Sequence, residues 1–389
     1  MSKLEELIQQ YCPDGVEYKK LGELGVFYGG LSGKTKEDFK DGNAKFISYK
    51  NVFYNLSLNI DTDERVKIEE GEKQNTVQYG DILFTGSSET PYECGMSSVL
   101  TQKTDEKLYL NSFCFGFRLH NPELFCPNFL KHLFRSSELR KQIGKTASGT
   151  TRFNVSKKRF AEVSIPILPL PVQEEIVRIL DTLAELQAEL QAELQKRLQQ
   201  YDYYRDNLLS FEGRTDVEWK KLGELGRISS GKNKQKKKEG AYPVYGSTGI
   251  IAYCDEFKYD KPLILVARVG AYAGYTHIAR GQYDVSDNTL IIDLDKKNVI
   301  NKYIFYILVN INLNRYAKGG GQPLITAGEI KEITIPVPPL SEQQRIVDIL
   351  DRFNSLTTDI TAGLPAEIEA RRKQYEYYRD QLLTFKQKA

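Results

Sequence analysis

The sequence predicts an α+β chain: two similar mixed α/β domains separated by two long helices packed as an antiparallel coiled coil, in a pseudo-twofold tandem repeat. Three observations predict it. Val16–Gly25 (VEYKKLGELG) returns at 217–226 as VEWKKLGELG, with one aromatic exchanged for another. The proline-rich stretch from Ile165 to Leu170 returns from Ile335 to Leu340, and each copy leads into Ile-Val-x-Ile-Leu-Asp ending at Asp181 or Asp351. The block from Tyr201 to Phe211 (YDYYRDNLLSF) returns from Tyr375 to Phe385 as YEYYRDQLLTF. Matched blocks in one order mark a duplication, and repeats are sought before any other feature because they decide the architecture. The expected boundaries are 1–165 for the first domain, 166–212 for a central helical spacer, 213–335 for the second domain and 336–389 for a C-terminal helical region.

The domain interiors are β-rich. Short apolar runs between Gly, Asn and Asp clusters read as strands: Phe46 to Phe53, Asp81 to Thr85 and Phe113 to Leu119, then Tyr242 to Tyr245, Leu263 to Arg268 and Thr289 to Leu294. A proline elbow closes each interior, at Pro166, Pro169 and Pro171 and at Pro336, Pro338 and Pro339. Proline cannot continue a helix before it but suits the first turn of one after it. The segment that follows repeats Ala-Glu-Leu-Gln three times, at Ala184, Ala188 and Ala192. Leu183, Leu186, Leu190, Leu194 and Leu198 then line one helical face, and all four residue types favour helix. The second arm carries Gly363-Leu364-Pro365, which should interrupt it.

At 389 residues the chain is too long for one ordinary core. It is 40% hydrophobic and 27% charged, as a folded protein should be, and no apolar run reaches bilayer length. Five scattered cysteines without a CxxC pair point away from zinc and disulfides and towards the cytoplasm. A net charge of +2 leaves the partner open.

Catalytic patterns are weak. Gly30-Leu31-Ser32-Gly33-Lys34-Thr35 suggests a phosphate loop, but a Walker loop needs its first glycine at Tyr28. Asp14, Glu17 and Lys19 have the residue types of a nuclease but lie within one short lead-in rather than on separate strands. Neither a glycine-rich dinucleotide loop nor an Asn/Asp-Pro-Pro-aromatic run for methylating a flipped base is present. His120, His132 and His277 show no ligand or triad spacing. The expectation is a non-catalytic chain with no cofactor or metal of its own.

With its paired openings, its elbows before Gln173 and Gln343, its repeated Tyr-Tyr-Arg-Asp, and the runs Gly80–Thr85 and Tyr242–Ile251, the sequence resembles type I restriction–modification specificity subunits. That resemblance spans almost the whole chain and implies two target recognition domains reading a bipartite site in double-stranded DNA. It further implies two modification subunits docked on the helices and two restriction subunits completing the complex. S-adenosylmethionine, ATP and magnesium would then belong to those partners, and no membrane would be involved.

Candidate DNA contacts follow from residue type. Lys232, Lys234, Lys236, Lys237 and Lys238 lie in a stretch without an acid and suit phosphate. Gly149, Thr150, Thr151 and Arg152 match Gly319, Gly320, Gly321 and Gln322 just before each elbow, where small residues let backbone amides approach phosphate. Arg268 and Gln322 have the chemistry to read guanine and adenine edges. Leu183, Leu186, Leu190 and Leu194 are expected in the coil, and Tyr203, Tyr204, Tyr377 and Tyr378 in coil packing or partner docking. The rival reading is a coiled-coil scaffold joining two protein-binding domains.

Overall fold

The computed structural model describes residues 2–234, 237–295, 297–358 and 363–388. The chain forms two compact units: Met1–Glu189 with Ile368–Ala389, and Leu190–Glu367. Each unit therefore combines one globular domain with the start of one helical arm and the end of the other. No helix among the described residues is long and apolar enough to cross a membrane.

In both units the first matched block pairs with the elbow. Strand Glu17–Lys20 runs antiparallel to Ser164–Ile167, with Glu17 opposite Ile167, and Glu218–Lys221 runs antiparallel to Thr334–Val337, with Glu218 opposite Val337. The repeated sequence at the two ends of each interior thus becomes one two-stranded clasp. Beside it lies a four-stranded antiparallel sheet in the same order in both units. The first is Gly25–Gly29, Cys114–Leu119, Ile82–Thr85 and Ser97–Val99; the second is Gly226–Ser230, Thr289–Leu294, Leu263–Ala267 and Thr276–Ala279. Phe84 and Phe115 sit opposite each other in the first, and Val266 and Leu290 take those places in the second. The first core is accordingly aromatic, with Phe84 packed on Phe115, Phe134 and Phe160 at ring separations of 4.8–5.4 Å. The second is aliphatic, built on Ile264, Val266, Leu290, Ile292 and Ile304. One backbone plan thus accepts either filling.

A further sheet in each unit contains a parallel pair: Ala44–Ile47 beside Leu108–Leu110, and Tyr242–Gly246 beside Asp284–Val285. One strand expectation needs correction here. The run from Phe46 to Phe53 is a strand only to Ile47, and Tyr49–Tyr54 is a helix. Ser48 causes the switch, since its hydroxyl accepts from the Asn51 N–H and caps the helix.

The Ala-Glu-Leu-Gln segment lies within one helix, Leu170–Leu208, of 39 residues, about 58 Å long at 1.5 Å per residue. In the first unit its opening turns bury Val172, Ile176 and Leu180 in the core, joined there by Tyr375 and Leu383 from the end of the chain. Leu183 packs at the edge of that core, and Leu186, Leu190 and Leu194 are half-buried. The second arm is two helices, Leu340–Thr358 and Leu364–Leu382, with Pro365 in the first turn of the latter. In the second unit Ile346, Val347 and Leu350 join Leu209 and Phe211 in the core, while Tyr201 and Tyr204 pack on Phe353.

The last matched block completes each clasp. In the second unit the chain passes directly from Phe211 to Val217. In the first unit the same join is made by hydrogen bonds, Val16 N–H to the Lys386 carbonyl at 2.8 Å and Lys388 N–H to the Val16 carbonyl at 2.9 Å. Gly15 permits this, with φ +105° and no room for a Cβ beside the Lys386 carbonyl.

Candidate nucleic-acid interface

The glycine-containing segments before the elbows are the turns of β-hairpins. In the first unit Ala147–Ser148 pairs with Phe153–Val155, which pairs in turn with Ser87–Ser88. Gly149, at φ +151°, forms the turn with Thr150, Thr151 and Arg152, and a Cβ there would meet the Arg152 carbonyl. Thr150, Thr151 and Arg152 are all exposed. The Arg152 Nε donates to the Ser87 hydroxyl at 3.1 Å, and its guanidinium lies 5.7 Å from the Phe113 ring.

The second unit repeats this shape. Lys318 and Leu324 exchange backbone hydrogen bonds of 2.8 Å, and Leu324 also bridges to Val269. Gly319, at φ +106°, begins a turn in which Gly320, Gly321 and Gln322 are exposed. Arg268 lies beside it, since its carbonyl accepts from Ile325 N–H and Gly270 N–H donates to the Pro323 carbonyl, each at 2.9 Å. The structure therefore brings Arg268 to the Gly319–Gln322 turn, about 50 residues on in the sequence.

Sequence reasoning missed the surroundings of these turns. A cleft of about 540 Å³ lies against the first, lined by Tyr49, Lys50, Tyr54, Glu89, Thr151 and Arg152. Tyr54, Tyr92 and Phe113 are more than half exposed, as are Tyr272 and Tyr275 beyond Arg268. Buried aromatics carry most core energy, so rings left in water beside each turn are candidates for a contact surface. Composition does not reveal which aromatics fall outside the core.

The lysine-rich segment is anchored at its start, where Lys232 N–H and Asn233 N–H both donate to the Val285 carbonyl. Lys232, Lys234 and Lys238 are exposed. Lys237 is exposed too, but its ammonium lies 2.5 Å from Asp255, an acid the linear sequence did not place there. Lys236 lies outside the described residues.

The framework holding each domain to its helix is matched in detail. Gln173 is fully buried. Its carbonyl oxygen accepts from Cys126 N–H at 2.8 Å, and its amide donates to the Leu124 and Leu168 carbonyls at 2.9 and 2.7 Å. Gln343 does the same with Ile300 N–H and the Asn298 and Pro338 carbonyls, at 2.9, 3.0 and 2.8 Å. Asp181 is reached by Lys131 at 2.8 Å and by His132 Nε2 at 2.7 Å, while Asp351 accepts from Lys302 and Tyr306 at 2.6 and 2.5 Å. The recurrence of Gln173 and Asp181 in the second copy was the available sequence signal. His132 is fully buried, and its Nδ1 lies 2.8 Å from the Tyr375 hydroxyl. A carboxylate only accepts, so Nε2–H donates to Asp181 and Nδ1 accepts from Tyr375. Burial holds the imidazole pKa below its usual value, outweighing the Asp181 hydrogen bond that favours the charged form. A neutral ring serves as a strut.

The helical tyrosines separate into two kinds. Tyr375 is buried, and Tyr201 is half-buried beside Phe353, on which the more exposed Tyr204 also stacks. Tyr203 and Tyr377 are 66% and 61% exposed, and their neighbours Tyr204 and Tyr378 are 40% and 41% exposed. Each exposed pair is edge-to-face, at 5.6 and 5.4 Å.

The family model for the type I restriction modification DNA specificity domain matches twice, over residues 13–200 and 215–370. The chain belongs to this specificity family. Specificity-subunit chains of known structure share its fold. One is from M. genitalium (TM-score 0.57, 15% identity), covering 95% of this chain and 96% of that one. Another comes from work on complex assembly and conformational transition of the type I R-M system (TM-score 0.62, 18% identity), covering 95% and 98%. The EcoR124I/EcoR124II specificity subunit of Escherichia coli is 39% identical over 57% of this chain and 61% of its own length. The aligned part thus spans about three fifths of that relative.

Proposed function

We propose that this chain is the specificity subunit of a type I restriction–modification assembly, reading a bipartite, asymmetric site in double-stranded DNA with one half-site per unit. The observation that carries this reading is the pair of matched hairpins. Their frames agree to the hydrogen bond, yet one turn presents Thr-Thr-Arg and the other Gly-Gly-Gln. Like frames suit two like partner subunits, and unlike turns suit two unlike half-sites. Lys232, Lys234 and Lys238 would neutralise phosphate, and the turns Gly149–Arg152 and Gly319–Gln322 would lie against the duplex with Arg268. The exposed pairs Tyr203–Tyr204 and Tyr377–Tyr378, repeated at the same place in each copy, suit docking of two modification subunits. Two restriction subunits would complete the restriction complex. S-adenosylmethionine, ATP and magnesium would be held by those partners, and the chain alone would perform no chemistry.

The test is methylation mapping with the chain combined with its modification subunit. Replacing the interior from Gly25 to Ser164 with that of a relative should change one half-site and leave the other unchanged. A hybrid that changes both half-sites would refute the modular reading, and a combined complex without sequence preference would refute DNA recognition.

A further inference from the structure

The hydrogen bonds align the two units position by position around the turns. Gly86 N–H donates to the Phe113 carbonyl at 2.7 Å, and Arg268 N–H donates to the Asn288 carbonyl at 2.9 Å. On the neighbouring rungs Thr85 faces Cys114 and Ala267 faces Thr289. Position 86 thus corresponds to 268, position 113 to 288 and position 152 to 322.

At all three places the chemistry differs. The first unit has Gly86, Phe113 and Arg152; the second has Arg268, Asn288 and Gln322. In the first unit a Cβ at position 86 would lie 2.8 Å from the Phe113 carbonyl oxygen, so the backbone leaves little room for a side chain. The second unit admits an arginine there. Phe113 is 59% exposed despite its apolar ring. Arg268 is half-buried, and no side-chain hydrogen bond or ion pair is made by its guanidinium among the described residues. Asn288 is exposed, and its backbone alone is engaged: the carbonyl also accepts from the Ser247 hydroxyl and the N–H donates to Ser286.

We infer that the pair of equivalent positions 113 and 288, together with Arg268, determines which base each unit prefers. Phe113 meets a thymine C5-methyl in one half-site, while Asn288 and Arg268 hydrogen-bond adenine and guanine edges in the other. An apolar ring can touch the methyl but cannot satisfy a base edge, whereas an amide or guanidinium can pair with one. This inference rests on the function proposed above, and it adds residues that sequence spacing did not bring together.

The experiment uses the full chain assembled with its modification subunit, with competition binding and methylation mapping on duplexes varied one base pair at a time. Phe113→Ala should lose at least about fivefold discrimination at one thymine of one half-site, the lower end of the cost of a single mismatched base pair. Replacing that thymine with deoxyuridine should weaken the unsubstituted protein similarly and leave Phe113→Ala unaffected. Asn288→Ala should relax a single adenine position, and Arg268→Ala a single guanine position, both in the other half-site. Should Phe113→Ala fail to fold, Phe113→Gln gives the same thymine readout. If the unsubstituted complex prefers no sequence, the proposed function itself falls. If it does prefer one, and the variants keep every position within about twofold or change both half-sites, the assignment of these residues is overturned.

Discussion

Replacing Gln173 with leucine tests the bracket between the first domain and its helix. The side chains are similar in size, so the main change is the loss of three hydrogen bonds at a fully buried site. The Cys126 N–H and the Leu124 and Leu168 carbonyls would be left without this partner. An unpaired buried polar group costs about 1–3 kcal/mol, and some of that is recovered by relaxation or entering water, so a total of about 3–5 kcal/mol is expected. Against a typical stability of about 5–15 kcal/mol this is a large fraction. With a urea slope of about 3 kcal/mol/M, the midpoint of the affected unit should fall by about 1–1.7 M. Far-UV circular dichroism would follow the transition. Fluorescence of Trp219, the only tryptophan, gives a separate probe in the second unit's clasp. Gln173→Glu sharpens the test. A buried carboxylate can still accept from Cys126 but cannot donate to either carbonyl, so this variant should recover stability as pH falls and the acid protonates. A Gln173→Leu midpoint within about 0.3 M of the unsubstituted protein, under about 1 kcal/mol on that slope, would show that the bracket carries little energy.

Three further outcomes are expected. His132 has a depressed pKa, so below about pH 6.5 the unfolded state binds more protons than the folded one and stability falls as pH falls. Between about pH 7 and 5.5, urea midpoints of the first unit should decline less in His132→Gln, and an unchanged decline would exclude this residue as the cause. Converting Lys232, Lys234 and Lys238 together to glutamine should reduce the log–log salt slope of DNA binding by about 0.9 for each phosphate that is no longer neutralised. Weaker binding with an unchanged slope would place those lysines in folding instead. Deleting Ala188–Gln191 shortens the helix by about 6 Å and removes about 40° of excess rotation, so methylation mapping should find a spacer shorter by roughly one or two base pairs. A folded, active deletion variant with its original spacer would show that this helix sets no distance.

The duplication made the architecture legible. Because Val16–Gly25 and the elbow recur together, the halves could be aligned without any structure. The clasp between them was not legible, since nothing local says that Glu17 faces Ile167 across the whole interior of the domain. The strand expectation failed after Ile47 because a serine cap outweighed a run of β-favouring residues. At the candidate interface, glycine spacing located both turns, as positive φ favours glycine at Gly149 and Gly319. Residue type could not locate Phe113 and Tyr54 outside the core, because exposure is set by tertiary packing. Gln173 and Gln343 were visible as repeated letters, but each of their hydrogen-bond sets draws on a loop far earlier in the chain, at Leu124–Cys126 and at Asn298–Ile300.

The join from Phe211 to Val217 exists in two chemical forms. In the second unit five residues, Glu212 to Asp216, make it covalently; in the first, Val16 is held to Lys386 and Lys388 by hydrogen bonds alone. The clasp therefore does not require a peptide linkage at that corner. All five of those residues are exposed. Proteolysis at Arg214 should thus leave the second unit closed, because Glu218–Lys221 stays paired with Thr334–Val337 and both Phe211 and Val217 stay in the core. Nicked protein should elute and unfold as the intact chain does. A segment resembling an ordinary linker would then be a dispensable tether whose holding work is shared by the strands on either side.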